Sequence, residues 1–284
     1  MIGRRVAVIG ATGNVGRALA DALLERGVEV IAVARTRARL QLLGDGVQAH
    51  PVDLGHDDGA LREALLAAEC VVNVAHAKFT RGIISALPGP GTRLITLGST
   101  RKFTRFPDQK AAEVLDAEAA HAQGVNGLIL HPAMIYGGTD NNISRVLKIV
   151  RWASLVPLPL HGNALLQPIH RDDVVQCLLA AIHRDTGNAP IVLAGAQAVT
   201  YAQVILSCAR LMGRRVKIIS VPLWGMLGLA WLTRFIPGIP SIARDEVRRL
   251  LEDKAFDIAP MRERLGVTPC TFEEGLARIG LRVQ

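Results

Sequence analysis

Gly10-Ala11-Thr12-Gly13-Asn14-Val15-Gly16 follows the apolar run Arg5-Val6-Ala7-Val8-Ile9 and leads straight into Arg17-Ala18-Leu19-Ala20-Asp21-Ala22-Leu23-Leu24. The first run reads as a strand and the last as a helix. A glycine-rich turn in that setting is built for a dinucleotide. One glycine permits the sharp turn, one lets a pyrophosphate approach without a Cβ in the way, and one lets the helix pack on the strand. The helix N-terminus then offers free N–H groups and a positive dipole end to the phosphates. The turn itself, Gly10, Thr12, Gly13, Asn14, Val15 and Gly16, is therefore the expected phosphate contact.

The choice of nucleotide is read about 20 residues further on, where an Asp or Glu at the end of the second strand holds the ribose hydroxyls of NAD. Here Val28-Glu29-Val30-Ile31-Ala32-Val33-Ala34 ends in Arg35, with Arg37 and Arg39 close behind. A guanidinium suits a 2′-phosphate, whereas a carboxylate repels one. The sequence thus favours NADP as cofactor, with NAD second; the competing reading of Arg35 is a solvated basic helix start.

A chain of 284 residues, half of them hydrophobic, can bury a large core and does not read as disordered. Continuous apolar runs predict strands at 5–9, 28–34, 47–52, 69–75, 92–97 and 127–131. Helices are predicted at 14–26, 36–43, 57–68, 78–87 and 107–123. This alternation implies an α/β fold, a doubly wound parallel Rossmann sheet with ligands at the carboxyl ends of its strands. Residues 1–137 are expected to form the NADP-binding domain, with 165–195 returning to it through a helix over 173–184 and a strand near 190–194. Residues 138–164 and 196–284 are expected to form a smaller, mostly helical substrate or lid region. Asp172 is expected to cap the helix after it, Thr200 to cap a helix over 201–212, and Thr271 with Glu274 to form a capping box.

These residues resemble the short-chain dehydrogenase/reductase superfamily in its extended or atypical, NAD(P)-dependent epimerase/dehydratase-like branch. The glycine turn is similar to that family's G-A-T-G-x-x-G. Val52-Asp53-Leu54 resembles the segment carrying its adenine-contacting Asp, and Val72-Asn73-Val74-Ala75 the strand that passes the cofactor. His131-Pro132-Ala133-Met134-Ile135-Tyr136-Gly137 is similar to its R-P-x-x-x-Y-G segment beside the nicotinamide, and Gln167-Pro168-Ile169-His170-Arg171-Asp172-Asp173-Val174 to its Q-P-V-H-V-x-D-V junction. The resemblance implies that Asp53, Leu54, Val74, Ala75, His131, Pro132 and Met134 line the cofactor. It also implies catalysis by a Ser or Thr after the fifth strand together with a Tyr-x-x-x-Lys.

Ser99 and Thr100 match the first element of that pair. The second departs from the pattern: Lys110 is the lysine that best fits, and Phe106 stands in the tyrosine position. Phenylalanine has no proton to give. Lys110 could still hold ribose hydroxyls, or be a surface lysine at a helix start. The candidate replacement donors are Tyr136, His131 and Lys102. The resulting expectation is an NADP-dependent oxidoreductase or epimerase-like enzyme with an unidentified small-molecule substrate. Its alternative is a non-catalytic NADP-sensing or accessory, scaffold-type Rossmann protein.

Other chemistries find no support. No nucleophile elbow, phosphate loop or H-E-x-x-H occurs, and no metal site is expected. The formal net charge is +8, but only 4% of residues are aromatic, so nucleic-acid stacking is not expected. Cys70, Cys177, Cys208 and Cys270 are widely spaced and read as reduced thiols; with no apolar export signal at the N-terminus, the expected location is cytoplasmic. The most apolar stretch, 221–235, is too short to span a bilayer. With Trp224, Leu227 and Trp231 on one helical face, it could be a lid, a subunit contact, a membrane-surface contact or ordinary core.

Overall fold

The computed structural model describes residues 5–140, 142–232 and 248–280. Its main sheet contains β1 (Arg5–Ile9), β2 (Glu29–Ala34), β3 (Val47–Pro51), β4 (Cys70–Asn73), β5 (Arg93–Leu97) and β6 (Gly127–Pro132). The helices between them are α1 (Asn14–Leu24), α2 (Arg37–Gln41), α3 (Asp58–Leu65), α4 (Thr80–Ala86) and α5 (Gln109–His121). A seventh strand, Ile191–Leu193, joins beside β6 after the helix Arg171–His183, giving the order 3-2-1-4-5-6 plus this edge strand, all pairs parallel. This is a doubly wound sheet, with its topological switch between β1 and β4.

Strand period explains the two cores. Val6 and Val8 of β1, Val30 and Ala32 of β2, and Cys70 and Val72 of β4 face one apolar layer, beneath α1 and the helix Arg171–His183. Ala7, Ile9, Ile31, Val33 and Val71 face the other, beneath α3 and α4. Successive side chains on a pleated strand point to opposite faces, so a sheet covered on both sides needs unbroken apolar runs. Those are the runs seen in the sequence.

The remainder forms a smaller, mostly helical region with its own apolar cluster. It contains β7 (Ile135–Tyr136), α6 (Asn142–Trp152), β8 (Leu155–Leu158), β9 (Leu165–Leu166), β10 (Ile169–His170), the helix Tyr201–Leu211, the strand Lys217–Ser220 and the helix Phe272–Gly280. Three two-stranded ladders stitch it together: β7 with β10, β9 with Val199–Thr200, and β8 with Lys217–Ser220. Thr200 caps its helix in a reciprocal box with Gln203, and Thr271 and Glu274 form the other expected box. Asp172 does not cap the helix Arg171–His183. His170 does so, its Nδ1 accepting from the Asp172 N–H, because pairing of β10 with β7 holds His170 extended and the helix begins at Arg171, two residues before an Asp172-capped start. The expected helix around 221–232 is present as Leu223–Leu232, while 233–235 lie outside the described residues, as do the side chains of Leu227 and Trp231. Cys70, Cys177 and Cys208 are buried, and all four cysteines are free thiols.

Candidate functional site

The glycine turn is shaped by three different constraints. Gly10 has φ +87°, and a Cβ there would lie 2.9 Å from the Ala75 backbone nitrogen. A Cβ on Gly16 would lie 2.1 Å from the Gly10 carbonyl oxygen, so this glycine seats α1 against the turn. Gly13 differs: its Cβ would meet only the Gly10 oxygen, at 3.2 Å, and the residue is exposed. The chain has no packing need for glycine at 13; what a Cβ would fill is the open space in front of the helix. Gly13 is also the N-cap residue of α1 and supplies no side-chain cap, so the first-turn amides stay available. A pyrophosphate fits that cradle.

The neighbouring expected contacts divide into groups. Val74 and Ala75 lie just past β4, where the Val74 N–H donates to the Ile9 carbonyl. Asn73 is buried there, its Oδ1 accepting from the Ala75 N–H while its Nδ2 has no partner among the described residues. Asp53 is exposed just after β3 and its backbone carbonyl accepts from His56 and Asp57, while Leu54 packs partly into the lower core. Thr12 and Val15 stay in the turn and first helical turn. Asn14 spends its side chain within the chain: Nδ2 donates to the Gly137 carbonyl and Oδ1 accepts from the Thr139 N–H. It ties the phosphate turn to the segment after β7.

At the carboxyl ends of β4, β5 and β6 opens a cavity of about 540 Å³. Its inner wall is Ala75, Gly98, Ser99, Thr100, Pro132 and Met134. Its outer wall is Tyr201, Arg105, Arg249, Glu252, Lys254 and Phe256. The outer wall is joined to the inner by Glu252, whose Oε1 accepts from Thr104 Oγ1 at 2.7 Å and from the Arg105 N–H at 2.6 Å. Asp108, held well below its usual range at about 2 by hydrogen bonds from Arg101, also faces Arg249 at 3.4 Å. Burial and the nearby Arg249 and Arg101 cations hold the Lys254 ammonium below its ordinary value.

The two hydroxyls after β5 differ in what they have left to give. Ser99 Oγ accepts from the Arg101 N–H, leaving its own proton uncommitted, whereas Thr100 Oγ1 donates to the Pro132 carbonyl at 3.3 Å. His131 is fully buried behind this wall. Its Nε2 lies 2.7 Å from Glu118 Oε2 without hydrogen-bond alignment, and Lys102 pairs with the same carboxylate. Burial, reinforced by Lys102, holds the imidazole down at about 4, so it is neutral at pH 7.

Several expected catalytic residues are not brought to this cavity. Tyr136 is wholly buried between the rings of His170 and Phe272, with its hydroxyl 3.4 Å from the Phe272 carbonyl oxygen. Pairing of β7 with β10 turns it into the core of the smaller region, and burial pushes its phenol far above the ordinary range. Phe106 is 37% exposed and Lys110 is exposed in the first turn of α5; neither lines the cavity. Tyr201 does line it, and sequence spacing missed that residue because no lysine follows it at the fourth position. Burial, opposed by Arg249, raises the Tyr201 phenol to about 12.

Residues 10–150 match the model of a family described as NAD(P)H-binding. Over nearly its full length the chain shares a fold with several solved structures. It is similar in fold to MoeE5 in complex with UDP-glucose and NAD, at TM-score 0.73 and 21% identity, covering 98% of each chain. It is likewise similar to UDP-glucuronic acid 4-epimerase from Bacillus cereus in complex with UDP-glucuronic acid and NAD, at TM-score 0.74 and 15% identity, again covering 98% of each chain. An uncharacterised protein of Mycobacterium tuberculosis is 27% identical over 297 residues, covering 99% of this chain; the chain spans 30% of that relative's length.

These comparisons correct the expected preference for NADP, since the similar structures hold NAD. Arg35 is exposed just past β2, at the approach to the basic helix Arg37–Gln41. Its exposure there fits the competing reading of that residue, a solvated basic helix start.

Proposed function

We propose that the chain is an NAD-dependent enzyme that transfers hydride to or from a carbon bearing oxygen, in a small anionic substrate held in the cavity at the carboxyl edge of the sheet. The observation that carries this reading is the Gly13 cradle, a space kept open at the head of an uncapped helix, with Gly10 packed against the backbone of Ala75, which lines the cavity. NAD supplies the hydride acceptor or donor. Gly10 to Gly16 hold its pyrophosphate, Asn73 Nδ2 offers a donor with no other partner among the described residues, and the Ala75 backbone borders the cavity.

Ser99 orients the substrate oxygen with its uncommitted hydroxyl proton. Tyr201 moves the proton that accompanies the hydride: its raised pKa keeps the phenol protonated at neutral pH, as a donor requires. Arg105, Arg249 and Lys254 give the outer wall a cationic face for an anionic substrate group. Nucleotide sugars, the ligands of MoeE5 and the Bacillus cereus epimerase, meet that requirement and form the first panel to test.

The test is calorimetric titration with NAD followed by turnover of UDP-glucose and UDP-glucuronic acid, monitored at the nicotinamide absorbance and by product analysis. NAD binding that is lost in Gly13→Val, with turnover lost in Tyr201→Phe, is the expected result. A second reading, a non-catalytic dinucleotide-binding protein, is favoured by the exposed positions of Phe106 and Lys110 outside the cavity. NAD binding without turnover over a wide panel of ketones, alcohols and nucleotide sugars would select it.

A further inference from the structure

The smaller region carries an unusual surface. Between residues 142 and 171, and again between 186 and 232, the sequence contains no Asp or Glu, while Arg145, Lys148, Arg151, Arg210, Arg214, Arg215 and Lys217 fall there. The fold gathers much of this charge. The strand Lys217–Ser220 pairs with β8 in the register Lys217 to Leu155 and Ile219 to Pro157, and the Lys217 N–H donates to the Ser154 carbonyl. Arg214 and Arg215, which lead into that strand, are therefore brought beside the end of α6, where Lys148 and Arg151 are exposed.

Large apolar side chains stand within this basic field, turned to solvent. Trp152 is 80% exposed, with the Arg151 guanidinium 5.6 Å from its ring centre, and Leu155 and Ile219 are exposed on one face of the ladder. Beyond the far end of the ladder stand Leu160 and Trp224, the latter 78% exposed. Trp224 opens the helix Leu223–Leu232, whose ten residues, Leu-Trp-Gly-Met-Leu-Gly-Leu-Ala-Trp-Leu, include no charged side chain. No helix among the described residues is long and apolar enough to cross a membrane.

We propose that this face docks on the surface of a bilayer containing anionic lipid. Charge complementarity decides the occupant. Tryptophan and leucine bury into the headgroup boundary, and Lys and Arg from two segments that contain no Asp or Glu meet negative headgroups. A second copy of the chain would bring the same cations against one another across a two-fold contact. Nucleic acid would use the cations but leave the apolar ridge unburied.

The experiment is co-sedimentation of the full chain with vesicles of phosphatidylcholine alone, or with about 30 mol% phosphatidylglycerol, at low and about 0.5 M salt. Tryptophan emission is recorded in parallel. The protein is expected to pellet with the anionic vesicles, to shift its emission to the blue, and to be released by salt. A triple Lys148→Glu, Arg214→Glu, Arg215→Glu variant should bind at least about tenfold more weakly. Trp152→Ala with Trp224→Ala should pellet with the anionic vesicles at least about tenfold less; both sites are exposed, so folding is checked simply by an unchanged melting temperature. Equal binding to neutral vesicles, or none to either, would overturn the proposal. So would a concentration-dependent dimer that the tryptophan changes abolish, or tight duplex DNA binding without vesicle binding.

Discussion

The contrast between Gly13 and Gly16 offers the sharpest test of the cofactor turn, because the two glycines are needed for different reasons. An alanine at 16 would place its Cβ 2.1 Å from the Gly10 oxygen, 2.8 Å from the Gly10 carbonyl carbon and 2.9 Å from the Ala11 Cα. All three are backbone atoms of the turn, so no flexible side chain can give way. Overpacking of this kind costs about 1–3 kcal/mol, and the backbone contacts put it at the upper end. Alanine recovers about 1 kcal/mol of helix propensity over glycine. The net loss is about 2 kcal/mol, which for a chain of this size lowers the melting temperature by about 4 °C. The Cβ of Gly13→Val meets only the Gly10 oxygen, at 3.2 Å, and the main cost is a poorer helix cap, about 1 kcal/mol. Its effect appears on adding NAD. At a hundred times its dissociation constant, NAD stabilises the parent by about 2.7 kcal/mol. Gly13→Val should gain nothing. Scanning calorimetry with and without NAD reads both numbers, and a Gly16→Ala protein as stable as the parent, or a Gly13→Val protein stabilised normally by NAD, would refute this account of the turn.

Tyr201→Phe should lower turnover by about a hundredfold while leaving the NAD dissociation constant unchanged by calorimetry, the signature of a lost proton donor; an unchanged turnover number removes Tyr201 from the chemistry. Arg35→Ala should leave NAD affinity within about twofold, since an exposed cation that grips no phosphate contributes little, and a larger loss would restore Arg35 to the site. Stability should fall as pH falls from 6.5 toward 4. His121 and His131 are held at about 4 in the folded protein by burial, against 6.5 when unfolded, so the unfolded chain binds more protons throughout that window. Urea midpoints at pH 7 and 5 check the sign; a higher midpoint at pH 5 would contradict it.

The Rossmann half was legible because its determinants are local. Val6 to Ile9, Val30 to Val33 and Cys70 to Val72 are continuous apolar runs that only a sheet covered on both faces requires, and glycine turns or polar breaks mark their ends. The same is true of Gly13 and Gly16 in the turn and of the Thr200 and Thr271 caps, where the partners lie within six residues. The smaller region was opaque for the opposite reason. Its strands are two to four residues long and exist only through distant pairings, such as Lys217 with Leu155 and Thr200 with Leu165, and Leu160 and His161 adopt positive φ without glycine. No window of sequence carries those pairings.

The cavity suffers most from that opacity, because its chemistry is assembled across the break. Ser99 was visible as the residue after an obvious strand. Tyr201 is followed at the fourth position by Ile205 and not by a lysine, whereas the neighbours of Tyr136 fit the family pattern. Yet what decides between two phenols is where their strands pair. Tyr136 is drawn into the core by β10, beside His170, whereas Tyr201 begins a helix that faces Arg249 and Glu252 across the cavity. Glu252 reaches that wall from about 150 residues downstream of Thr104 and Arg105, and its two hydrogen bonds bring the ends of the chain's two regions together. A spacing rule such as Tyr-x-x-x-Lys encodes one helix presenting both groups. Where the groups come from separate regions, the signal passes from spacing to long-range hydrogen bonding, and the donor has to be read from the folded wall.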